Sequence, residues 1–506
     1  MLAKVSSASL MGVNAYVVDV EVDISPGLPS YITVGLPDTS VRESKERVRA
    51  AIKNCGYEFL SQKITINLAP ADIRKEGSAF DLPISLGLLA HSGLFPPEGL
   101  KQYLFMGELA LDGGLKPVKG VLSSAVLAKK KGFKGIIIPK ENEKEGALVQ
   151  ELNIYGMENL VKVVEFLRNP EITAPCEFSL EELLPKPRYT RDFQDVKGQQ
   201  HVKRALEVAV AGSHNVLLIG PPGAGKTMLA RRLPTILPWM SFEEIIEVTQ
   251  IYSASGLLKE KGAIVERPFR APHHTVSDAG MIGGGVIPRP GEVSLAHNGV
   301  LFLDELPEFR KRVLEDLRQP LEDRNVTVSR SSMSVTFPSS FMFVAAMNPC
   351  EDVYHGFTSS NLDGTDSQRA RYYSRISGPL LDRIDIHIEV PEVKFKDIIS
   401  KDEGKSSVQI RERIIKARER QLLRFRGKKI YSNAQLEERE IKEYCQVDDE
   451  SRELLEMAVD RLGFSARAYN RVLKVSRTIA DLEGKENISP VHISEAIQYR
   501  MMDKYF

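Results

Sequence analysis

The sequence predicts an α/β protein of several domains, and three observations support this prediction. Short apolar runs of β-strand character alternate with amphipathic helical segments over most of the chain. A glycine-rich loop connects one such strand, Asn215–Ile219, to a segment of helical character, Met228–Arg232. Residues 401–506 are rich in charge and in helical patterns. Because the chain has 506 residues, it is long enough for two to four domains with separate cores.

We expect four regions along the chain. Residues 1–168 form an N-terminal domain, and residues 169–191, which are rich in proline and charge, form a linker. Residues 192–400 form the domain that contains the glycine-rich loop, and residues 401–506 form a helical C-terminal lid domain.

Five segments define the predicted N-terminal domain. Alternating or continuous apolar patterns predict strands at Tyr16–Val22, Lys63–Leu68 and Gly135–Pro139. An amphipathic pattern predicts a helix at Val41–Asn54, and a short buried helix is expected at Leu82–His91.

Composition limits the classes of function. The formal net charge is zero, so any contact with nucleic acid must come from a local patch. The four cysteines are far apart, which argues against a local zinc site or a disulfide framework and fits a reducing compartment. The start of the chain lacks an apolar signal core, and no run approaches the roughly 20 apolar residues of a membrane span. We therefore expect a cytoplasmic protein with no membrane partner.

The glycine-rich loop has the pattern of a phosphate-binding loop between a strand and a helix. Its eight residues are Gly220, Pro221, Pro222, Gly223, Ala224, Gly225, Lys226 and Thr227. Glycines allow backbone N–H groups to surround a phosphate, and the helix N-terminus adds the positive end of its dipole. Lys226 is expected to contact the β- and γ-phosphates, and the Thr227 hydroxyl is expected to bind Mg²⁺. The alternative is a Gly/Pro-rich turn without a ligand.

A second motif lies about eighty residues further along the chain. Val300–Leu303 is an apolar strand followed by Asp304 and Glu305. Asp304 is expected to complete the Mg²⁺ site, and Glu305 is expected to polarise the attacking water. Alone, this acidic pair could be a solvated turn. Together with the phosphate loop, it predicts hydrolysis of a nucleoside triphosphate, for which we expect ATP.

Two further segments resemble the AAA+ ATPases. Phe193–Gln199 resembles their adenine-side segment. Phe343–Met347 reads as a strand that ends at Asn348, which resembles the sensor-1 residue that positions the lytic water. A strand-end turn before Pro349 is the alternative for Asn348.

Two arginines resemble residues that sense nucleotide in this class. Arg383, within Ser377–Asp385, resembles the arginine finger of the magnesium-chelatase and MCM-like branch, which reaches the γ-phosphate of a neighbouring subunit. A salt bridge with Asp382 or Asp385 is the alternative. Arg467, at the start of a C-terminal helix, resembles the sensor-2 residue that acts on nucleotide in the same chain.

Several longer motifs resemble one family within this class. They are Phe269–Thr275, with its pair His273 and His274, Gly283–Gly285, Pro290–Gly299 and Ala8–Gly12. Together they resemble the ComM/YifB family of magnesium-chelatase-like ATPases, which carry a Lon-protease-like (S5-type) α+β N-terminal domain. The resemblance covers essentially the whole chain. It implies a hexameric, ATP-driven DNA helicase that promotes branch migration in recombination, notably of transforming DNA.

Within this resemblance, three segments need separate interpretation. We expect the adjacent rings of His273 and His274 to point in different directions, which argues against a shared metal site. Gly283–Gly285 is interpreted as a mobile insertion that faces DNA in the pore. Relatives often carry several cysteines after the sensor-1 residue, whereas Cys350–Gly356 has a single thiol, so no zinc site is expected there.

The catalytic pair of a Lon-type protease is predicted to be absent. Such proteases use a serine activated by a lysine of lowered pKa. In register with the family pattern, Ala79 occupies the serine position and Leu122 occupies the lysine position. Ser78 with Lys119 or Lys75 remains an alternative pair. We expect the domain to be proteolytically inactive and retained for assembly or DNA binding.

DNA contacts are predicted from a β-hairpin. Asp323–Arg330 and Ser334–Pro338 read as its two strands, and in this branch such hairpins project into the pore of the ring. Arg324 and Arg330 are therefore the preferred contacts to single-stranded or branched DNA, bound independently of sequence. A basic amphipathic helix at Ile410–Lys429 could follow phosphates, form a solvated outer face or contact a neighbouring subunit.

The sequence leaves two other functions open. An ATP-driven protein remodeller, such as a chelatase motor or a MoxR-type chaperone, would share the ATP site. An active Lon-like protease would require a catalytic pair, against which Ala79 and Leu122 argue.

Overall fold

The computed structural model describes residues 2–184, 189–258, 262–285, 288–330, 333–349, 372, 375–393, 396, 404–428 and 430–501. The segment Cys350–Gly356 and Lys429, both considered above, lie outside the described residues. The chain divides into two compact units: Met1–Lys186 with Ser241–Val265, and Pro187–Met240 with Glu266–Phe506. Within the described part, none of the helices has the length and apolar character needed to cross a membrane.

The strands follow in chain order. They are β1 Leu2–Met11, β2 Asn14–Ser25, β3 Ser30–Val34, β4 Lys63–Ala69, β5 Tyr103–Phe105, β6 Glu108–Leu109, β7 Leu115–Lys116, β8 Gly135–Pro139, β9 Asn153–Met157, β10 Val216–Ile219, β11 Phe269–Arg270, β12 Gly283–Gly284, β13 Arg289–Pro290, β14 Val300–Leu303, β15 Asn325–Arg330, β16 Met333–Pro338, β17 Met342–Met347 and β18 Ile386–Glu389.

The helices are numbered in the same way. They are α1 Thr39–Asn54, α2 Asp81–Leu89, α3 Gly99–Gln102, α4 Val121–Lys131, α5 Glu143–Gly146, α6 Leu160–Arg168, α7 Leu180–Leu183, α8 Gln200–Gly212, α9 Lys226–Ala230, α10 Phe242–Ser255, α11 Asp278–Ile282, α12 Glu292–Leu295, α13 Lys311–Asp316, α14 Arg318–Asp323, α15 Gly378–Leu381, α16 Ser407–Arg424, α17 Glu438–Tyr444, α18 Asp449–Leu462, α19 Ala466–Glu483 and α20 Pro490–Gln498.

The first unit is built on a four-stranded sheet and a three-stranded sheet. The larger sheet has the order β1-β2-β4-β3, with antiparallel pairs except for β3 and β4, which are parallel. The smaller sheet, β5-β8-β9, is parallel. Alternate residues of β2 and β4 are buried, and they pack in one core with α1, α2 and α6. This is the period-two pattern of a sheet with one covered face.

Helix α10 completes the first unit from a distant part of the chain. Ser253, on α10, accepts a hydrogen bond from Gly120 N at 2.9 Å and donates one to the Glu145 carboxylate. Glu145 also accepts from Leu122 N at 2.8 Å, so it caps the start of α4. Burial raises the pKa of Glu145. The segment Ser241–Val265 lies within the predicted domain 192–400, although it is compact with the first unit.

The second unit is built on a five-stranded parallel sheet with the order β11-β14-β17-β10-β18. All residues of β10, β14 and β17 are buried, as expected for strands covered on both faces. One apolar core includes residues of this sheet, α8 and the C-terminal helices α16–α20.

These elements confirm the predicted α/β fold class with a helical C-terminal part. The predicted strands Tyr16–Val22, Lys63–Leu68 and Gly135–Pro139 lie in β2, β4 and β8. The predicted helices correspond to α1 and α2, although α2 ends at Leu89 and a 3-10 turn follows.

A buried charge network joins the C-terminal helices. The Asp481 carboxylate is inaccessible to solvent and accepts hydrogen bonds from Arg424, from Arg477 at 3.2 Å and from Asn433 at 2.8 Å. Both arginines are themselves largely buried, at 18% and 3% side-chain exposure. Each charge in this cluster is therefore compensated only while Asp481 is present.

We predict that Asp481→Ala destabilises the second unit, because it leaves two buried guanidinium groups without their carboxylate. A loss of about 3–5 kcal/mol in the free energy of unfolding is expected. The only tryptophan, Trp239, belongs to the same unit, so its fluorescence during urea unfolding reports the change. Asp449→Ala is the matched control, because that carboxylate is 92% exposed in its pair with Arg452. Equal midpoints for the two variants would contradict the prediction.

Candidate nucleotide-binding site

Three neighbouring strands of the parallel sheet carry the predicted catalytic groups at their carboxyl ends. Gly220 follows β10, Asp304 follows β14 and Asn348 follows β17. Because β17 pairs in parallel with both other strands, these three ends lie along one edge of the sheet. Ligands of open α/β sheets bind at this edge.

The phosphate loop has the backbone that its glycines permit. Gly223 and Gly225 have φ of +80° and +86°, which other residues rarely adopt. A Cβ on Gly220 would lie 2.1 Å from the Val390 carbonyl oxygen, so this position also requires glycine. Gln199 supports the loop by donating a hydrogen bond to the Ala224 carbonyl at 2.9 Å. The sequence analysis did not select Gln199 as a site residue. Gln199 is nevertheless the last residue of Phe193–Gln199, the segment that resembles the adenine-side segment of the AAA+ ATPases.

Lys226 lies inside the loop. Its Nζ donates to the carbonyl oxygens of Gly220, at 2.6 Å, and Pro221, at 2.8 Å. It also donates to Asn348 Oδ1 at 3.0 Å, so these two predicted residues are in direct contact. Burial lowers the pKa of Lys226, an effect opposed by Asp304. The amine is therefore held by carbonyl oxygens that a phosphate could replace.

Thr227 and Asp304 form the second contact of the site. The Thr227 hydroxyl donates to Asp304 Oδ2 at 2.6 Å. A hydroxyl beside a carboxylate supplies the oxygen ligands that Mg²⁺ prefers. These residues therefore fit a magnesium ion bound together with nucleotide, which would neutralise the charge of the phosphates.

Glu305 and His274 lie together next to this pair of residues. Glu305 has a left-handed backbone with φ of +55°, and its side chain is 60% exposed. Its Oε2 lies 3.7 Å from Nδ1 of His274. The sequence did not predict this contact. The signal available was the pair of histidines that follows β11, the strand that pairs with β14.

The orientation expected for the two histidines was wrong. The ring centroids of His273 and His274 lie 4.0 Å apart. Val276 N donates to the His273 carbonyl and Thr275 N contacts the His273 ring, so a tight turn brings both rings to one side. Among the described residues, no group of three metal-ligating side chains is present.

The two predicted sensing arginines are paired within the chain. Arg383 contacts the Glu322 carboxylate and is 11% exposed, so its partner is neither of the aspartates considered above. Arg467 is 67% exposed and lies 3.5 Å from Asp382. Neither contact tests the predicted action on a γ-phosphate.

Asn215 links these segments and was missed by sequence reasoning. Its Oδ1 accepts from Phe343 N, at 2.9 Å, and its Nδ2 donates to the Arg383 carbonyl, at 2.8 Å. Its backbone N–H donates to Asp385 at 3.2 Å. Asn215 thus connects β10, the strand before the phosphate loop, to β17, the strand before Asn348. It also connects β10 to the segment that contains Arg383.

The predicted hairpin is present as β15 and β16, but its two arginines differ in position. Arg330 is exposed at the far end of β15 and donates to the Gly285 carbonyl at 3.1 Å. Arg324 lies at the base of the hairpin, directly after the last residue of α14. It has a left-handed backbone with φ of +55°, and its side chain is partly buried. Burial lowers the pKa of Arg324. The geometry therefore favours Arg330 over Arg324 as a contact to a ligand.

The basic helix α16 uses most of its arginines within the second unit. The Arg411 guanidinium lies 4.0 Å from the Trp239 ring centroid. Arg413 pairs with Glu207, and Arg418 donates to the Val210 carbonyl. A positively charged face that is engaged in this way offers few free cations to a phosphate backbone. The alternatives of a solvated face or DNA contact thus lose support.

Among the described residues of the first unit, Ser78 forms no hydrogen bond with either lysine of the alternative pair. The Ser78 hydroxyl instead donates a hydrogen bond to the Glu108 carboxylate, and the Lys75 amine has no hydrogen-bond partner among the described residues. Burial lowers the pKa of Lys75. Leu122 is fully buried at the start of α4.

We predict that Asp304→Asn raises the Mg²⁺ concentration needed for half-maximal nucleotide hydrolysis. A neutral amide is a weaker ligand, so a change of about 10–100-fold in metal affinity or activity is expected. A magnesium titration of ATP hydrolysis measures it. Glu308→Gln, at an exposed carboxylate paired with Arg375, serves as the control. An unchanged titration curve for Asp304→Asn would remove this residue from the metal site.

Comparison with protein-family models gives three matches. Residues 192–398 match the model described as magnesium chelatase, subunit ChlI. Residues 20–142 match the model described as subunit ChlI of Mg-chelatase, and residues 404–500 match the C-terminal model of the same subunit.

Full-length relatives are also found. The chain is 46% identical to the competence protein ComM of Haemophilus influenzae over 504 residues, which cover 99% of this chain and 98% of that protein. It is 45% identical to YifB of Escherichia coli over 509 residues, with the same coverage. A shorter match, 32% identical over 156 residues, joins 29% of this chain to 28% of Lon protease 2 of Bacillus subtilis. The chain therefore belongs to the ComM/YifB family of magnesium-chelatase-like AAA+ proteins.

Proposed function

We propose that this protein is an ATP-driven DNA translocase that works as a homo-hexamer and promotes branch migration in recombination or natural transformation. The observation that carries the proposal is the hairpin β15–β16, which has one exposed face and leads within four residues of Pro338 into β17 and so to Asn348 at the ATP site. One continuous segment thus joins a surface suited to a ligand and the site suited to ATP. Membership in the family implies use of ATP with Mg²⁺.

In this proposal, ATP is bound and hydrolysed by the residues at the carboxyl ends of β10, β14 and β17. Lys226 exchanges its loop carbonyls for phosphate oxygens, and Thr227 and Asp304 hold Mg²⁺. Glu305 polarises the attacking water, and Asn348 positions it. Each of these roles depends on residues that already lie in contact or follow neighbouring strands.

Hydrolysis requires a second copy of the chain in this proposal. Arg383 acts on the γ-phosphate of the neighbouring subunit, while Arg467 acts on nucleotide in its own chain. Arg383 must then leave Glu322. Glu322 is 57% exposed, so water can solvate its carboxylate once the pair opens.

The DNA end of the motor is the hairpin. Arg330 contacts phosphates, and such contacts do not depend on sequence. The relative in Haemophilus influenzae is named a competence protein, which is consistent with a DNA substrate. We further propose that the N-terminal domain is proteolytically inactive, because the family pattern aligns Ala79 and Leu122 with the catalytic serine and lysine.

The first test is ATP hydrolysis by the purified protein with and without single-stranded and forked DNA. We expect DNA to stimulate hydrolysis, and Lys226→Ala to abolish it in both conditions because the phosphates lose their lysine. Strong hydrolysis that no DNA changes would instead support a protein-remodelling ATPase. Stimulation by DNA in Lys226→Ala would assign the activity to a contaminant.

The second test concerns the hairpin. We predict that Arg330→Ala weakens DNA binding and lowers the slope of log affinity against log salt by about one, because one phosphate contact is lost. Fluorescence anisotropy with a labelled oligonucleotide measures both values. Arg318→Ala is the control, since Arg318 is a partly exposed arginine of the same unit that pairs with Glu315 within its own helical region. An equal loss in both variants would argue against a specific role for the hairpin.

A further inference from the structure

The first unit contains a groove that has no role in the function proposed above. Its volume is about 990 Å³. This is near the upper end of the range typical of sites for drug-sized ligands, so the groove is too large for a single small ion. Its lining comes from β1, β2, the segment after β4, and the C-terminal ends of α3 and α4. All of these elements belong to the first unit.

The sheet and α4 supply apolar surface to this groove. Val18 and Val20 of β2 are buried in the core of the unit, so Val17 lies on the opposite face of the sheet, where it lines the groove. The neighbouring Tyr16 also lines the groove, and so does Leu127 of α4. Val17, Tyr16 and Leu127 are half-buried, so part of each side chain remains available to a ligand.

The end of α4 places an aromatic ring between two lysines in sequence. The helix ends at Lys131, and Gly132 follows with a left-handed backbone at φ of +75°. Phe133 N donates to the Ala128 carbonyl at 3.1 Å, so the chain turns sharply at this point. After the turn, the half-buried Phe133 and the exposed Lys134 join Lys131 in the lining of the groove.

A third lysine comes from the end of α3. Strands β5 and β8 pair in parallel, with Tyr103 opposite Gly135, so the residues before these strands are neighbours. Lys134 N accordingly donates to the Gln102 carbonyl at 2.9 Å. Lys101, directly before Gln102, therefore lies in the same wall of the groove as Lys134.

The charge of the three lysines is not balanced within the groove. The carboxylate of the lining, Asp19, pairs with Lys4 at 2.8 Å. Lys101, Lys131 and Lys134 are exposed, and none of them forms an ion pair with another described residue. A cation in the last turn of a helix complements the helix dipole, which accounts for Lys131 but not for Lys134, because Lys134 lies beyond the helix. The groove therefore attracts an anionic ligand.

We propose that this groove is a second binding site for single-stranded DNA. The lysines contact phosphates, and bases lie against the rings of Phe133 and Tyr16. A basic groove with aromatic side chains is the combination by which proteins bind single strands without regard to sequence. A duplex keeps its bases stacked inside, so it would leave the apolar surface unused. The choice of DNA among anionic polymers rests on the proposed function, whereas binding in the groove does not require ATP hydrolysis.

The first measurement is the affinity of the full-length protein for a labelled oligothymidylate, without nucleotide and at several salt concentrations. All proteins carry Arg330→Ala, so that the hairpin contact does not mask the groove. Lys131→Ala with Lys134→Ala should weaken binding about 25-fold at about 0.1 M salt and lower the salt slope by about 1.4, because two phosphate contacts to a single strand are lost. Phe133→Leu should weaken binding about fivefold with an unchanged slope, because it removes a stacking surface and no charge.

Lys53→Ala with Lys162→Ala is the matched control. Both lysines are exposed in the first unit and lie outside the groove, and this double variant loses the same charge. It should bind like the parent protein. Equal losses in the two double variants would overturn the proposal, because binding would then follow net charge alone. Unchanged binding in the groove variant would overturn it as well.

Polyglutamate tests the other class of anionic polymer. We expect unlabelled oligothymidylate to displace the labelled strand, and polyglutamate at the same concentration of charge to leave it bound, because an acidic peptide has no bases to stack on Phe133. Displacement by both polymers to the same extent would overturn the assignment to DNA.

Crosslinking separates this inference from the proposed function. An oligonucleotide that contains bromodeoxyuridine should crosslink to Phe133 or Tyr16 of the wild-type protein, and mass spectrometry of the peptides locates the bond. Crosslinks at these residues would support the groove even where DNA does not stimulate ATP hydrolysis, a result that would refute the translocase. Crosslinks confined to other residues, in a protein whose hydrolysis DNA stimulates, would overturn the groove and leave the proposed function in place.

Discussion

The parallel pairing of β10, β17 and β14 is the constraint on which the rest of the second unit depends. Parallel strands place their carboxyl ends on one edge, so residues 220, 304 and 348 meet although they are far apart in sequence. The strands can be parallel only because helices cover both faces and bury all of their residues. The common edge of Gly220, Asp304 and Asn348 follows from this register.

Much of this arrangement could be predicted because its signals are local. The phosphate loop needs glycines at fixed spacing, and Asp304 and Asn348 each stand directly after an apolar strand, so the sequence marked all three strand ends. The hairpin was also visible as two alternating runs around a polar turn. Its two arginines were not distinguishable, because the sequence does not reveal that Arg324 has a left-handed backbone at the end of α14 and is partly buried, whereas Arg330 is exposed.

Contacts between distant segments could not be predicted. Asn215 reads as an ordinary polar residue before a strand, and its bonds to Phe343 and Arg383 depend on the order of strands in the sheet. The contact of His274 with Glu305 likewise requires that β11 and β14 are neighbours. The same holds for the arginines of α16, whose charge suggested a ligand until the fold supplied partners within the chain.

Because α10 belongs to the first unit, that unit cannot be isolated as the N-terminal part of the chain alone. The first unit draws one helix from a segment that is flanked on both sides by the second unit. A fragment that stopped at the linker would lack Ser253, and Gly120 N would lose its acceptor while the buried Glu145 lost a donor. The N-terminal part is therefore not a module that a single cut can release. Gene truncation or exchange at the linker would separate residues that must fold together.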